Sequence, residues 1–305
     1  MNSPATSSLD PSFTEALRLL GRVLLASAPY AEDLVVIGGM VPLIYRRTTG
    51  FAKATIEPPG TTEVDVSVSP RLAVRDRPML DLLKDADLMM IEVPGYRDQP
   101  GAQRFQDALT GKDRKLPNYV EFLTPLLGKG KTGLRETQKG FRVEALRYLD
   151  LLAFEPIVLD AAAVPELQVA VPCPLRVPQP ALYVAQKLLS RSSGRLSNAR
   201  KAAKDLAYVY DVAVLSHPQW AIQEALLGRA AAECTEWRSW LARAGRELRK
   251  LFQSPTAEGP VEATRILRDL MGSRAPSEDE IARVVTRFAN EVFRIGDRRP
   301  LARPP

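Results

Sequence analysis

Near the start of the chain, apolar residues recur at helical spacing. Leu17, Leu19, Leu20, Val23 and Leu24 form one face, Asp10 is a good N-cap, and Pro11 suits the first helical position. Ala28-Pro29 ends that helix. Leu34-Val35-Val36-Ile37 is a short continuous apolar run, the pattern of a buried strand, and Gly38-Gly39 follows at once. Met40 to Tyr45 open a second helix with Pro42 in its first turn. Residues 48–61 contain TTG and EPPG and read as loop. From Glu63 to Val68 the chain alternates, with Val64, Val66 and Val68 on one face and Glu63, Asp65 and Ser67 on the other. Residues 77–90 carry a helical pattern, on which Asp81, Asp85 and Asp87 read as a solvated face. Tyr119 to Leu123 reads as a strand ended by Thr124-Pro125. Residues 128–140, GKGKTGLRETQKG, are polar and rich in Gly and Lys, and read as a loop. Residues 143–171 supply a helix and one or two further strands.

The pattern then changes. Residues 172–180, PCPLRVPQP, hold four prolines and read as a linker. Beyond them, helical periodicity runs near 181–192, 197–215, 218–229, 232–252, 260–272 and 278–294. The expected organisation is an N-terminal helix (1–30) packed on a mixed α/β core (31–174). A helical domain (175–298) and a disordered tail (299–305) follow.

Composition narrows the chemistry. The 305 residues include 42 Lys and Arg against 36 Asp and Glu, a net charge of +6. That is a weak pointer to a polyanionic partner. His217 is the single histidine, so a site that needs two is excluded. Cys173 and Cys234 lie far apart without a CxxC, which fits free thiols in a reducing cytoplasm. No run of 18 apolar residues is present, so no membrane-spanning helix is expected. The first residues, MNSPATSSLDPSFTEALRLL, lack the basic and apolar regions of a secretory leader.

The informative segment is strand, Gly38-Gly39, helix, loop, and then Thr61-Thr62-Glu63-Val64-Asp65-Val66. Carboxylates two apart on a strand share a face. Their repulsion is relieved by a divalent cation, and Mg²⁺ favours a few carboxylate oxygens together with substrate phosphates. A glycine pair opening a helix lets phosphate approach backbone N–H groups. Together these features point to a nucleoside triphosphate bound with Mg²⁺.

The run VVIGGMVPLIYRR, followed by TTEVDVSV, resembles the nucleotidyltransferase fold. That fold is shared by DNA polymerase beta, aminoglycoside nucleotidyltransferases and the toxins of abortive-infection toxin–antitoxin systems. The resemblance spans roughly residues 33–125. It implies that Gly38 and Gly39 form the nucleotide phosphate loop, with Thr62 beside it, and that Glu63 and Asp65 are the metal-binding pair. Glu121 is the candidate third carboxylate and Asp150 the alternative. Two Mg²⁺ ions and an NTP substrate follow from the same resemblance. Two departures stand out: the first metal position is Glu rather than Asp, one methylene longer, and the segment between the glycines and the acidic pair is longer than the minimal pattern.

A second resemblance lies downstream. Ala181 to Leu189, then Arg191, Arg195, Arg200, Lys201 and Lys204-Asp205, look like the helical half of bacterial nucleotidyltransferase-like toxins. By that likeness Lys187 and Lys204 contact the triphosphate and Asp205 holds a basic side chain in place. Position 208 is Tyr where the pattern has a second Asp. Residues 187–204 hold six basic residues and no acidic one, a field suited to phosphate. Arg238, Arg243, Arg246, Arg249 and Lys250 form a second basic stripe, readable as an RNA track or as an ordinary soluble face.

The expected function is Mg²⁺-dependent transfer of an NMP to an acceptor hydroxyl. In the toxin group that acceptor is a tRNA 3′ end and the partner is a cognate antitoxin. Transfer to a small molecule or a protein, and a catalytically silent fold that binds nucleotide, RNA or a partner protein, remain open at this level. The discriminating feature is whether Glu63, Asp65 and Glu121 converge.

Overall fold

In the computed structural model the described residues are 11–53, 59–92, 101–108, 118–128, 132–192 and 199–295. The expected N-cap Asp10, the expected tail 299–305 and Arg195 lie outside them. The chain divides into two compact units. One comprises Met1–Met40, Gly60–Leu146 and Val158–Arg176; the other comprises Val41–Pro59, Arg147–Ile157 and Val177–Pro305.

The first unit is a seven-stranded mixed sheet with helices. Its strands are β1 (Leu34–Ile37), β2 (Glu63–Val68), β3 (Leu88–Glu92), β4 (Gln103–Asp107), β5 (Tyr119–Pro125), β6 (Gly133–Gln138) and β7 (Phe141–Leu146). Five of them lie in the order β1-β2-β5-β4-β3, and β6 joins through β7, which pairs with β5. β2 and β5 run parallel, and β1 lies antiparallel to β2. β5 pairs with β4 at Val120 and Glu121 and with β7 from Leu123 to Pro125. One sheet face carries the apolar members of the alternation. Phe105, Phe122 and Phe141 are fully buried, with ring centroids 5.2–6.2 Å apart. Each buried ring contributes roughly 1.5–3 kcal/mol. Helix α1 (Pro11–Ala26) packs against β2 and β5, burying the expected face of Leu17, Leu19, Leu20, Val23 and Leu24. A polar hub ties the loops of this unit together. The Tyr30 hydroxyl donates to the Arg77 carbonyl at 2.6 Å and accepts from Gln138 Nε2 at 3.0 Å, while Gln138 Oε1 accepts from the Met79 N–H at 2.9 Å.

The second unit is mainly helical. α2 (Val41–Arg47) packs on α5 (Ala199–Leu215). α4 (Pro180–Ser192), α6 (Trp220–Glu233), α7 (Thr235–Leu251), α8 (Glu258–Met271) and α9 (Glu278–Val292) complete it. The six downstream helices fall where the periodicity predicts them. Several caps are legible in the residues: the Ser277 side chain accepts from the Glu280 N–H, and Cys234 Sγ accepts from the Trp237 N–H. Both cysteines are free thiols.

Four expectations need correction. Residues 77–90 are not one helix: α3 (Met79–Asp85) stops early, Asp87 takes a positive φ of 56°, and β3 begins at Leu88. The Gly/Lys-rich stretch 128–140 contains β6, held by antiparallel pairing with β7. The proline-rich stretch 172–180 contains β9 (Pro174–Val177), paired with β8 (Ile157–Asp160), and Pro180 opens α4. Proline is tolerated at both places because each is a first residue whose N–H is not needed. No α-helix forms in 143–171; short 3₁₀ turns and β8 replace it. No helix among the described residues is long and apolar enough to cross a membrane.

Candidate functional site

Strand register places the carboxylates on one face. In the parallel pair of β2 and β5, Glu63 lies opposite Tyr119 and Asp65 opposite Glu121. On the flanking strands, Ile37 lies opposite Asp65 and Arg104 opposite Glu121. Residues directly paired across strands share a face. Glu63, Asp65 and Glu121 therefore stand on one face, with Arg104 and Tyr119, while Val64, Val66, Val120 and Phe122 are buried on the other.

The glycine pair abuts this face. Gly38 to Met40 form one 3₁₀ turn, and Gly38 has a φ of +71°. A Cβ on Gly38 would lie 2.0 Å from Asp65 Oδ2. Glycine is required there twice over, by the backbone conformation and by the closeness of the carboxylate. Thr62 is exposed at the bend before β2, and it is Thr61 whose hydroxyl accepts the Glu63 N–H, at 3.2 Å.

Glu121 and Glu63 have partners on the same face. Arg104 Nε donates to Glu121 Oε1 at 3.2 Å, and its guanidinium stacks over the Tyr119 ring at 4.3 Å. The Tyr119 hydroxyl donates in turn to Glu63; burial first, and then this bond and the charge of Glu63, push the phenol well above its usual range. Burial pulls the Arg104 guanidinium down, but Glu121, Tyr119 and Glu63 outweigh it and leave it raised. Among the described residues no three Asp, Glu, His or Cys side chains are gathered closely enough to ring one cation. Glu63 and Asp65 offer the hard oxygen donors that Mg²⁺ takes beside substrate phosphates. Those donors, under the cradle at Gly38, fit such an ion as a pair.

Asp150, the alternative third carboxylate, is not on this sheet. It opens a 3₁₀ turn in the helical unit, where Trp237 Nε1 donates to its Oδ2 at 2.8 Å. Burial pushes its carboxyl up, and the Trp237 bond offsets only part of that.

The helical unit holds the other candidates. Lys187 Nζ lies 2.9 Å from Asp205 Oδ1, both largely buried. The rings of Tyr183 and Tyr208 lie 5.6 Å from the same ammonium, and Lys204 lies 5.8 Å from Tyr208. The Tyr208 hydroxyl donates to the Pro59 carbonyl at 2.9 Å. Arg191 is paired with Glu258, while Arg200 and Lys201 are exposed. The second basic stripe is partly structural: Arg249 NH2 donates to the Phe293 carbonyl at the end of α9 at 2.7 Å, and Arg243 donates to the Tyr148 hydroxyl at 2.6 Å.

Sequence reasoning missed three residues. Arg104 and Tyr119 complete the carboxylate face, and Arg46 makes a buried ion pair with Asp211 at 2.5 Å. The alternation in Gln103-Arg104-Phe105 offered a faint clue to Arg104. Nothing local shows that Arg104 meets Glu121, seventeen positions on.

A sequence-family profile described as Nucleotidyltransferase matches residues 18–232, well over half of the chain. No curated protein sequence matches it. Among solved structures it is similar to an antigenic nucleotidyltransferase-like protein from Paracoccidioides brasiliensis. The identity is 14%, the match covers 74% of this chain and 92% of the other, and the TM-score is 0.34. By the extent of the profile match, this chain belongs to the nucleotidyltransferase family.

Proposed function

We propose that this protein transfers an NMP from an NTP to an acceptor hydroxyl in a Mg²⁺-dependent reaction, and that the acceptor is the 3′ end of an RNA. The observation that carries the reading is the register of β2 on β5, which lines up Glu63, Asp65 and Glu121 on one face beside the Gly38 turn. Glu63 and Asp65 would hold the metal. When bound, Mg²⁺ neutralises phosphate charge and makes an acceptor hydroxyl easier to deprotonate. The turn at Gly38 and Gly39 brings backbone close to the phosphates without a side chain in the way. Glu121 receives the proton of the attacking hydroxyl. The hydroxyl oxygen forms a bond to the α-phosphorus, the α–β phosphoanhydride bond breaks, and pyrophosphate leaves. Positioning and charge stabilisation do most of the work in such a reaction.

In the helical unit, Asp205 orients Lys187, and Lys187 and Lys204 over Tyr183 and Tyr208 form a cationic cluster for phosphate. The net charge of +6 supports an RNA acceptor over a polycationic small molecule. Incubation of the protein with Mg²⁺, each α-labelled NTP and a mixed small-RNA pool tests this. Label is expected on RNA, and lost with Asp65→Asn. Label on neither RNA nor any other acceptor would overturn the reading.

A further inference from the structure

Arg104 is a basic side chain in register with the carboxylates, opposite Glu121 on β4. It is fixed from two sides, by the bond to Glu121 and by its stack on Tyr119. Tyr119 is in turn tied to Glu63. Glu121 is largely buried, with 13% of its side chain exposed, so its charge needs a counter-ion close at hand. Arg104 supplies one in the protein itself.

We infer that Arg104 is the resident counter-cation of Glu121 and keeps that carboxylate from a divalent ion, so the nucleotide-free protein has one metal position, at Glu63 and Asp65. The inference rests on the reading of Glu63 and Asp65 as metal-holding residues. Arg104 acts through Glu121, which makes it a positioning residue. Its planar guanidinium both stacks on Tyr119 and bonds the carboxylate, and its single charge occupies the place that a second divalent ion would need. Arg104 Nε bonds Oε1 of Glu121, so a divalent ion at that oxygen has to displace the guanidinium. The absence of a three-carboxylate cluster among the described residues accords with this arrangement.

The test is Mn²⁺ binding to the nucleotide-free full-length chain, followed by the paramagnetic resonance signal of free Mn²⁺. One ion per chain is expected for the native protein and for Arg104→Lys, which keeps a cation there. Two are expected for Arg104→Gln. The double variant Arg104→Gln, Glu121→Gln returns to one. Two ions on the native protein, one on Arg104→Gln, or a second ion that survives loss of Glu121 would each overturn the inference, as would a failure of both native protein and Arg104→Gln to bind Mn²⁺. Circular dichroism confirms that each variant is folded. The count of ions is independent of NMP transfer. A protein that binds Mn²⁺ as stated but transfers no nucleotide sinks the proposed reaction alone, and one that transfers nucleotide with two resting ions sinks the role of Arg104 alone.

Discussion

Asp65 and Glu121 stand directly opposite one another where β2 runs parallel to β5, fifty-six positions apart in the chain. A shift of one residue in that pairing would turn one of them to the buried face. The register is fixed from the apolar side, where Val64, Val66, Val120 and Phe122 are all fully buried. The packing of the core therefore sets the spacing of the site. Substitutions beneath the sheet act on its chemistry through register, without touching a carboxylate.

Gly38 is the narrowest point of the arrangement. Gly38→Ala introduces a Cβ where Asp65 Oδ2 already lies and asks alanine to adopt a φ of +71°. A strained left-handed residue costs about 1–3 kcal/mol. Displacement of Asp65 is expected to lower transfer by about a hundredfold, the scale of an ångström-level misplacement. Parallel urea denaturation and initial-rate measurements check this. A variant with native stability and native rate would show that the turn is looser than the structure has it.

The buried pair of Arg46 and Asp211 is a matter of stability. Asp211 is fully buried, and its Oδ2 has no hydrogen-bond partner among the described residues. Burial pushes its carboxyl up despite the nearby guanidinium. Asp211→Ala removes the ion-pair partner of a largely buried guanidinium, a change that costs up to about 3–5 kcal/mol. Replacement of both residues by apolar ones of similar size is expected to cost much less. A double-mutant cycle by denaturant melts measures the coupling. Additive losses would show that the pair contributes nothing as a pair.

Asp150 makes a pH prediction whose sign is opposite to that of an ordinary paired carboxylate. Its folded pKa is raised by burial, so the folded chain holds the proton more tightly than the unfolded chain does. Its contribution to stability is full below the ordinary Asp range and is lost as pH rises through the folded pKa. Asparagine mimics the neutral form at every pH and can still accept from Trp237. The stability of Asp150→Asn relative to the native protein is therefore expected to fall as pH is lowered from 7 towards 4. A difference that stays flat, or that changes the other way, would contradict the assignment.

What the residues reveal locally, the structure retains. Leu34 to Ile37, the glycine pair and the alternation from Glu63 to Val68 are written in adjacent positions, so strand, turn and acidic pair are readable there. The downstream helices are readable for the same reason: their apolar faces repeat every turn. β4 was not readable. Its sequence, QRFQD, lacks the β-branched residues that favour strands, and it is held by its neighbours β3 and β5. β6 was hidden by its glycine and lysine content in the same way. Arg104 was missed because its meaning lies in a cross-strand partner, and pairing between distant strands leaves no mark in either segment. Glu121 could be named because the resemblance calls for a third carboxylate on a later strand. The cation that meets it could not.

The most direct test of the central claim compares the native protein with Asp65→Asn in one experiment, with α-labelled NTP, Mg²⁺ and RNA. Asparagine keeps the size of the side chain and removes the charge, and denaturant melts of the two proteins check that the fold is kept. The account predicts NMP incorporation by the native protein and a loss of about a hundredfold or more in the variant, the scale set by removal of one electrostatic stabiliser. Equal incorporation by the two proteins would contradict it, because the carboxylate aligned with Glu121 would then have no part in the reaction.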